Sequence, residues 1–350
     1  MNRSLEETYK STGRREGRIL GRRTLLRTVG AAGIGLAASK SASATDSDNP
    51  TEIDSCAVID EPGEYEIVSD ITPDLIEAPG CIVITADDVY LNGNGYTIDI
   101  RDAEFERVGF YEDPRAIAVN PFALERDVTI LDDVVIENVD ILGGSGGIEY
   151  TFTGGRTTGI TVRESGSGIR IRFQGPSVEQ CTLEDNITGI DLQGDPDVYG
   201  GTGSTIDHCT IQRNRSTGVF VGHEMSSTIT ACRVLRNGIG VLESVFGGGS
   251  QIRDSNICFN EHYGVSNIDT PADDEFPEFS NITDAIENYW GAANGPSSFG
   301  DPPTSFTDPE TGRPADGDGD VISESLDPGV SNVRFDPFLE EPNRDAGDRR

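Results

Sequence analysis

The most regular feature of the chain is a short alternating pattern of apolar and polar residues that recurs along its length. In one copy the apolar positions are Val178, Cys181, Leu183 and Ile190, and Asn186 lies between the last two. Six copies align on the Cys181 position, at residues 139, 160, 181, 209, 232 and 255, so that the steps are 21 to 23 residues with one of 28. A period of this size predicts a stacked repeat architecture, in which the longer step is an inserted loop.

The alternation within each copy predicts short β-strands with one buried face. A helical solenoid would need about ten consecutive residues with helical spacing in each copy, and the Asn and Gly residues that recur every few positions exclude it. We therefore predict an all-β fold, a right-handed single-stranded parallel β-helix with coils of roughly 21–23 residues. Its strands would stack at about 4.8 Å.

Two columns of inward residues follow from this stacking. Cys181, Cys209 and Cys232 are expected to pack as inert thiols, because free cysteine is among the most commonly buried small residues. An asparagine column is expected to form a hydrogen-bonded ladder of turn residues in the left-handed conformation. Its expected members are Asn94, Asn186, Asn214, Asn237, Asn260 and Asn288.

The first 44 residues differ in chemistry from the rest of the chain. Arg22 and Arg23 precede a short apolar run, and Ala42-Ser43-Ala44 ends it with small residues, which is typical of a twin-arginine export signal. We predict this signal over 1–44, an acidic linker over 45–52, the β-helix with a C-terminal cap over 53–340 and a polar tail over 341–350. No later apolar run is long enough for a membrane span, so we expect a secreted, unanchored product.

Charge narrows the possible partners. The formal net charge is −34, and residues 45–350 contain 18 arginines and no lysine against 58 acidic residues. Such a balance argues against nucleic acid as a partner and is typical of proteins that fold in high salt, so we interpret the chain as haloarchaeal in type. An extracellular address would permit a disulfide between Cys56 and Cys81, but the spacing leaves open whether the bond forms.

Both ends of the repeat region resemble a known family. Pro62-Gly63-Glu64-Tyr65 and Leu91-Asn92-Gly93-Asn94-Gly95 resemble the start of secreted right-handed β-helix proteins of the pectate-lyase-like superfamily, often called NosD-like or PbH1-repeat proteins. Glu287-Asn288-Tyr289-Trp290-Gly291 is similar to their C-terminal segment. The resemblance implies the β-helix fold, and it does not choose among the lyases, glycosidases, epimerases and binding modules that share it.

Candidate chemistry begins with the outward residues of adjacent coils. One such column is predicted to contain Glu149, Arg170, Asp191, Phe220, Leu242 and Ser266. Arg170 and Asp191 form the one base-and-acid pair that suits a polysaccharide lyase, although a structural ion pair would use the same residues. His223 is a further weak catalytic candidate, because Gly222-His223-Glu224 only partly matches the Gly-His-Gly of β-helical polygalacturonases.

Loops 193–203, 222–227, 243–250 and 266–280 all leave the coil after the same strand, so stacking would place them along one flank. Aromatic rings beside carboxylates suit sugar rings, which predicts a carbohydrate-binding groove. The candidates are Tyr199, Phe246, Phe276, Phe279, Asp195, Glu224 and Asp273. Unconstrained lengthening of surface loops would produce the same pattern.

Asp316, Asp318 and Asp320 alternate as Ca²⁺ ligands can, but the later Glu of an EF-hand loop is missing, so a solvated turn is the preferred interpretation. No other cofactor is expected. Three functions remain open: binding of an extracellular polysaccharide, a polysaccharide lyase or glycoside hydrolase that uses the loop flank, and a structural cell-surface or adhesion module. Whether the chain is an enzyme is undecided, with binding placed ahead of catalysis. The oligomeric state is not predicted.

Overall fold

Each copy of the repeat folds into one coil of three short strands joined by tight corners. The computed structural model describes residues 49–106, 113–121, 130–173, 175–194, 203–222, 225–244, 249–269, 281–298 and 305–347. The chain divides into two units, residues 1–38 and 39–350, and all described residues belong to the second.

The described strands are as follows. The N-terminal half contains β1 (Thr51–Ile53), β2 (Ala57–Ile59), β3 (Gly63–Ile67), β4 (Leu75–Ile76), β5 (Ile82–Ile84), β6 (Val89–Asn92), β7 (Thr97–Asp99), β8 (Glu104–Phe105), β9 (Arg115–Val119), β10 (Leu131–Glu137), β11 (Asp140–Leu142), β12 (Gly146–Thr151), β13 (Thr153–Thr158), β14 (Thr161–Arg163) and β15 (Ser167–Arg172). The C-terminal half contains β16 (Ser177–Glu179), β17 (Thr182–Glu184), β18 (Thr188–Gln193), β19 (Thr205–Asp207), β20 (Thr210–Gln212), β21 (Thr217–Val221), β22 (Thr228–Thr230), β23 (Arg233–Leu235), β24 (Ile239–Glu243), β25 (Gln251–Arg253), β26 (Asn256–Cys258), β27 (Tyr263–Asn267), β28 (Thr283–Asp284), β29 (Ser297–Ser298), β30 (Val321–Ile322) and β31 (Val333–Arg334).

All of these strands except β4 and β8, which pair with each other, form three long parallel sheets that are stacked around the solenoid. We number the sheets by the order in which a coil enters them. The first sheet has the order β1-β3-β6-β10-β13-β16-β19-β22-β25-β28-β31, the second β7-β11-β14-β17-β20-β23-β26, and the third β2-β5-β9-β12-β15-β18-β21-β24-β27-β30-β29. Each strand pairs with its counterpart one coil away, which confirms the predicted all-β, single-stranded parallel β-helix.

The core follows directly from the alternation in the sequence. In the coil formed by β16, β17 and β18, the side chains of Val178, Leu183, Ile190 and Leu192 are completely buried. The same positions are apolar in neighbouring coils, so their side chains form continuous inward columns. Burial of a Val, Leu or Ile side chain stabilises the fold by about 1.5–3 kcal/mol, which makes these columns the main source of stability.

The corners turn because one residue at each adopts the left-handed conformation. Gln180 has φ 52° before the second sheet, and Asp185 has φ 59° before the third. The N–H of Gln180 then points along the solenoid axis and donates to the carbonyl of Asp207 in the next coil, at 3.0 Å. Each corner therefore continues the ladder of hydrogen bonds that joins the coils.

The asparagine ladder is present, with two corrections to its predicted members. The side-chain Oδ1 atoms of Asn186, Asn214, Asn237 and Asn260 each accept the N–H of the residue one coil earlier, at 2.9–3.1 Å. Asn94 is not part of the ladder, because it is itself left-handed and lies exposed at an earlier corner. The ladder asparagines are not left-handed; the residue before each of them is.

Asn288 belongs to the cysteine column instead. It follows Cys181, Cys209, Cys232 and Ser255, and its Oδ1 accepts the N–H of Ser255 at 2.9 Å. The ladder is completed by Asp320, whose Oδ2 accepts the N–H of Asn260 at 3.1 Å. Asp320 comes from a distant part of the chain, which is why the repeat spacing did not reveal it.

A column of glycines lies beside the ladder. A Cβ atom on Gly189 would lie 2.6 Å from the carbonyl oxygen of Gly218, and one on Gly218 would lie 2.5 Å from that of Gly240. These distances are shorter than a carbon can tolerate, so the close approach of successive coils requires glycine here.

The ends of the solenoid carry their own contacts. Cys56 and Cys81 form a disulfide in the first coils. Trp290 and Phe335 are completely buried at the C-terminal end, and Phe338 packs against the same core. The final segment lies against the second sheet, where the Asn343 N–H donates to Asn256 Oδ1 in β26 at 2.8 Å. The Gly347 N–H donates to the carbonyl of Ala231, at the corner before β23, at 2.7 Å.

Candidate functional site

The outward face of the third sheet carries three parallel columns of side chains. The register of the strands aligns Arg115, Gly146, Ser167, Thr188, Thr217, Ile239 and Tyr263 in the first column. The second contains Ala118, Glu149, Arg170, Asp191, Phe220, Leu242 and Ser266, as the sequence indicated from Glu149 onward. Thr151, Arg172 and Gln193 align in the third.

Three arginines surround one buried carboxylate on this face. The Arg115 Nε atom lies 2.7 Å from Oε2 of Glu149, and the Arg172 Nε atom lies 3.1 Å from Oε1. Arg170 approaches the same carboxylate with Nη1 at 3.7 Å. A carboxylate this far from water is stable as an anion only when basic groups and hydrogen-bond donors compensate it.

Asp191 extends the network by one coil. Its Oδ2 accepts a hydrogen bond from Arg170 Nε at 2.9 Å and another from the Ser167 hydroxyl at 3.2 Å. The Gln193 side-chain amide donates to both carboxylate oxygens. We call Arg115, Glu149, Arg170, Arg172 and Asp191 the arginine patch; in it three guanidinium groups lie around two carboxylates.

Solvent reaches only part of the arginine patch. The side chains of Arg170 and Arg172 are 21% and 31% exposed, whereas Arg115, Glu149 and Asp191 are 8%, 3% and 9% exposed. Both exposed arginines belong to β15, and both are held from below by carboxylates. The patch therefore presents two preoriented guanidinium groups to whatever lies on the sheet.

The face becomes apolar beyond Asp191. Phe220 and Leu242 are its next two members in the same column, and both are partly exposed. A Cβ atom on Gly222 would lie 3.3 Å from Phe220 Cε1, so glycine avoids a close contact with that edge of the ring. An aromatic surface thus adjoins the charged groups along the solenoid axis.

The arrangement suits anion binding better than proton transfer. Each carboxylate of the patch is held by at least one arginine, and among its described residues there is no histidine, tyrosine or free carboxyl group. Tyr150 is a neighbour in sequence, but it points into the core, where burial raises the pKa of its hydroxyl above the ordinary value. A general acid or base would need a group that exchanges its proton near neutral pH.

The structure describes only some of the site residues that the sequence predicts. Arg170 and Asp191 are brought together as expected. His223 and the seven carbohydrate-binding candidates, Tyr199, Phe246, Phe276, Phe279, Asp195, Glu224 and Asp273, lie outside the described residues. Arg115 and Arg172 were missed, although Arg172 lies two residues after Arg170 in one strand and therefore had to share its face.

The three aspartates of the possible calcium site are not brought together. Asp320 points at the asparagine ladder, where its Oδ1 also accepts the N–H of Phe259 at 2.7 Å. Asp318 instead accepts a hydrogen bond from the Asn294 amide at 3.1 Å. Within the described residues no group of three or more His, Cys, Asp or Glu side chains could hold a metal ion.

A groove of about 720 Å³ lies at the corner between the second and third sheets, and it meets the arginine patch at Asp113, whose carbonyl accepts a hydrogen bond from Arg115. Its charged residues include Arg101 and Glu164, which are 44% and 55% exposed and lie 3.4 Å apart. Exposed pairs of this kind are worth little and do not hold their partners in fixed positions. The groove is therefore the weaker candidate.

Comparison with known proteins supports the architecture. Residues 130–281 match the family model described as "Right handed beta helix region". This match agrees with the right-handed winding predicted from the repeat. No curated protein matches the chain. In the described part of the chain, no helix is long and apolar enough to cross a membrane.

Several solved structures are similar at low identity. The A-module of the mannuronan C-5 epimerase AlgE4 from Azotobacter vinelandii is 14% identical, with a TM-score of 0.42 and coverage of 84% of this chain and 86% of that chain. The AlgE6 A-module of the same organism is 16% identical, with a TM-score of 0.37 and coverage of 71% and 80%. The periplasmic alginate epimerase AlgG is 14% identical, with a TM-score of 0.38 and coverage of 81% and 76%. These similarities are too distant to indicate what the chain does.

Proposed function

We propose that this chain is a secreted, salt-adapted β-helix protein that binds an acidic polysaccharide on the outward face of its third sheet. The observation that carries the proposal is the arginine patch. In a chain whose residues 45–350 contain 18 basic and 58 acidic side chains, three arginines converge on one patch, and two of them, Arg170 and Arg172, reach solvent. A carboxylate of the ligand would pair with the solvent-facing guanidinium groups of Arg170 and Arg172.

The local geometry of the arginine patch suits the binding of an anion at high salt concentration. Long-range attraction is screened within about 3 Å at 1 M ionic strength, so a basic surface alone would not retain an anion there. Direct guanidinium–carboxylate hydrogen bonds act within that range. Arg170 is already oriented by Asp191 at 2.9 Å and Arg172 by Glu149 at 3.1 Å, which reduces the entropy lost on binding.

The neighbouring residues favour a sugar over a simple anion. Phe220 offers the apolar surface on which a sugar ring can stack, and Gln193 and Thr188 offer polar groups for hydroxyls. Apolar surface with a few placed polar groups is the usual composition of a ligand site. Binding without catalysis is the preferred form of the proposal, because each carboxylate of the patch is held in an ion pair.

The test is binding of the purified protein to two acidic polymers, polygalacturonate and hyaluronan, in molar NaCl, measured by calorimetry with dextran as the neutral polymer. Arg172→Ala should weaken binding by about tenfold or more, since a hydrogen bond to a charged group is worth about 1.5–3 kcal/mol. The matched control is Arg163→Ala, which removes a 43% exposed arginine that pairs with Glu184 on the second sheet. It should leave binding unchanged.

The proposal would be removed if neither polygalacturonate nor hyaluronan bound more tightly than dextran, or if the two arginine variants lost binding equally. Ultraviolet-absorbing or reducing products released from the polymer during the same incubation would turn it into a lyase or a hydrolase, respectively.

A further inference from the structure

We propose, on the basis of the function above, that the ligand is a polysaccharide in which acidic sugars are separated by neutral ones. A polymer with a carboxylate on every residue would fit the face poorly. The inference follows from where charge lies along the solenoid.

The first step is the position of the available positive charge. Arg170 and Arg172 are the patch arginines that reach solvent, and both are on β15. Arg115, one coil to the other side of Glu149, is 8% exposed and is held by that carboxylate at 2.7 Å. The patch therefore offers its positive charge at the level of a single coil.

The second step is what the following coils present. On the outward face of β18, β21, β24 and β27 the described columns contain no basic residue. Asp191 is the first residue met beyond Arg170, and Phe220 and Leu242 follow. A second ligand carboxylate on this path would meet first a like charge and then an apolar surface without a donor for its oxygens.

The third step is the match of spacings. Successive coils lie about 4.8 Å apart, which is close to the length of one sugar residue in an extended polysaccharide. A ligand that lies along the columns therefore places about one sugar on each coil. With an acidic sugar over β15, the sugar over β18 would face Asp191 and Gln193, and the next would stack on Phe220.

A neutral sugar satisfies both of these positions. Its hydroxyls can donate to the Asp191 carboxylate and accept from the Gln193 amide, and its apolar ring face can cover Phe220. A uronate in the same place would bring its carboxylate beside that of Asp191, where the low exposure of Asp191, 9%, leaves little water to screen the repulsion.

The experiment compares two acidic polymers, hyaluronan and polygalacturonate, in molar NaCl. In hyaluronan glucuronate alternates with a neutral amino sugar derivative, whereas polygalacturonate has a carboxylate on every residue. Oligosaccharides of matched length are titrated into the protein, into Asp191→Asn and into Phe220→Ala. The wild-type protein should bind the alternating oligosaccharide about tenfold more tightly or better. Asp191→Asn should reduce this preference by improving binding of polygalacturonate, and Phe220→Ala should weaken binding of the alternating polymer.

The control is Asp185→Asn, which neutralises a 46% exposed aspartate at a corner next to the second sheet and should leave the preference unchanged. Equal or tighter binding of polygalacturonate by the wild-type protein would overturn this inference and leave the proposed function standing. Binding of neither polymer would overturn both. If Asp191→Asn prefers the alternating polymer over polygalacturonate as strongly as the wild-type protein does, the charge of Asp191 does not discriminate between the two polymers, and this step of the inference is refuted.

Discussion

Replacing one asparagine of the ladder should destabilise the whole solenoid measurably. Asn214 is 1% exposed; its Oδ1 accepts the Asn186 N–H at 3.1 Å, and its amide donates to the Leu183 carbonyl at 3.1 Å. Asn214→Ala leaves both of these buried backbone groups without that partner. A buried donor or acceptor left unsatisfied costs about 1–3 kcal/mol, so the free energy of unfolding should fall by about 2–6 kcal/mol.

The assay is urea unfolding in molar NaCl, followed by far-ultraviolet circular dichroism. The matched control is Arg215→Ala, one residue further on, because that side chain is exposed and its backbone bond to Asn186 at 2.8 Å survives the change. The control should stay within about 0.5 kcal/mol of the wild type. A loss below about 1 kcal/mol in Asn214→Ala would mean that water or a shift of the coils satisfies the exposed groups, and that the ladder is not a main source of stability.

Three other predictions concern the ladder, the glycine column and the cysteine column. Burial raises the pKa of Asp320 to about 6, above its unfolded value, so the contribution of Asp320 to stability should be greatest below pH 4 and fall by as much as about 3 kcal/mol as pH rises through 6; the difference in urea unfolding between wild type and Asp320→Asn isolates this contribution, and equal pH dependence in both would refute it. Gly218→Ala should lower the urea midpoint strongly, because its Cβ would lie 2.5 Å from a carbonyl oxygen, whereas an unchanged midpoint would show that the coils can separate. Cys209 is completely buried and its thiol pKa is raised, so iodoacetamide should label it only after unfolding; labelling of the native protein, located by mass spectrometry, would contradict its place in the core.

The coils between residues 136 and 268 were predictable because each repeats the same local sequence pattern. Apolar alternation, a corner and a glycine recur at nearly constant spacing, and the strand register follows them. Beyond Asn260 that regularity ends, since a segment some sixty residues further on supplies the next rung. Spacing therefore assigned Asn288 to the wrong column and did not predict the contact of Asp320 with the ladder.

The arginine patch was only half predictable, for a related reason. Arg170 and Asp191 occupy equivalent positions in neighbouring repeats, so their pairing follows from the alignment. Arg115 lies in β9, which precedes the recognisable copies and aligns with Gly146 and not with Glu149. Its contact with Glu149 is diagonal across the sheet, and a column-by-column alignment of the sequence cannot show such contacts.

The direction of the asparagine ladder bears on how such a chain can change in length. Each asparagine of the ladder accepts, through its Oδ1 atom, the backbone N–H of the residue one coil earlier. The series ends at Asp320, whose carboxylate takes the place of the asparagine amide. A duplicated coil inserted between Asn214 and Asn237 would find a donor on one side and an acceptor on the other, and both ends of the solenoid would be unaffected. Duplication or loss of whole coils is thus the form of genetic insertion or deletion that this architecture tolerates best, and a shift of a few residues within a coil would interrupt every column at once.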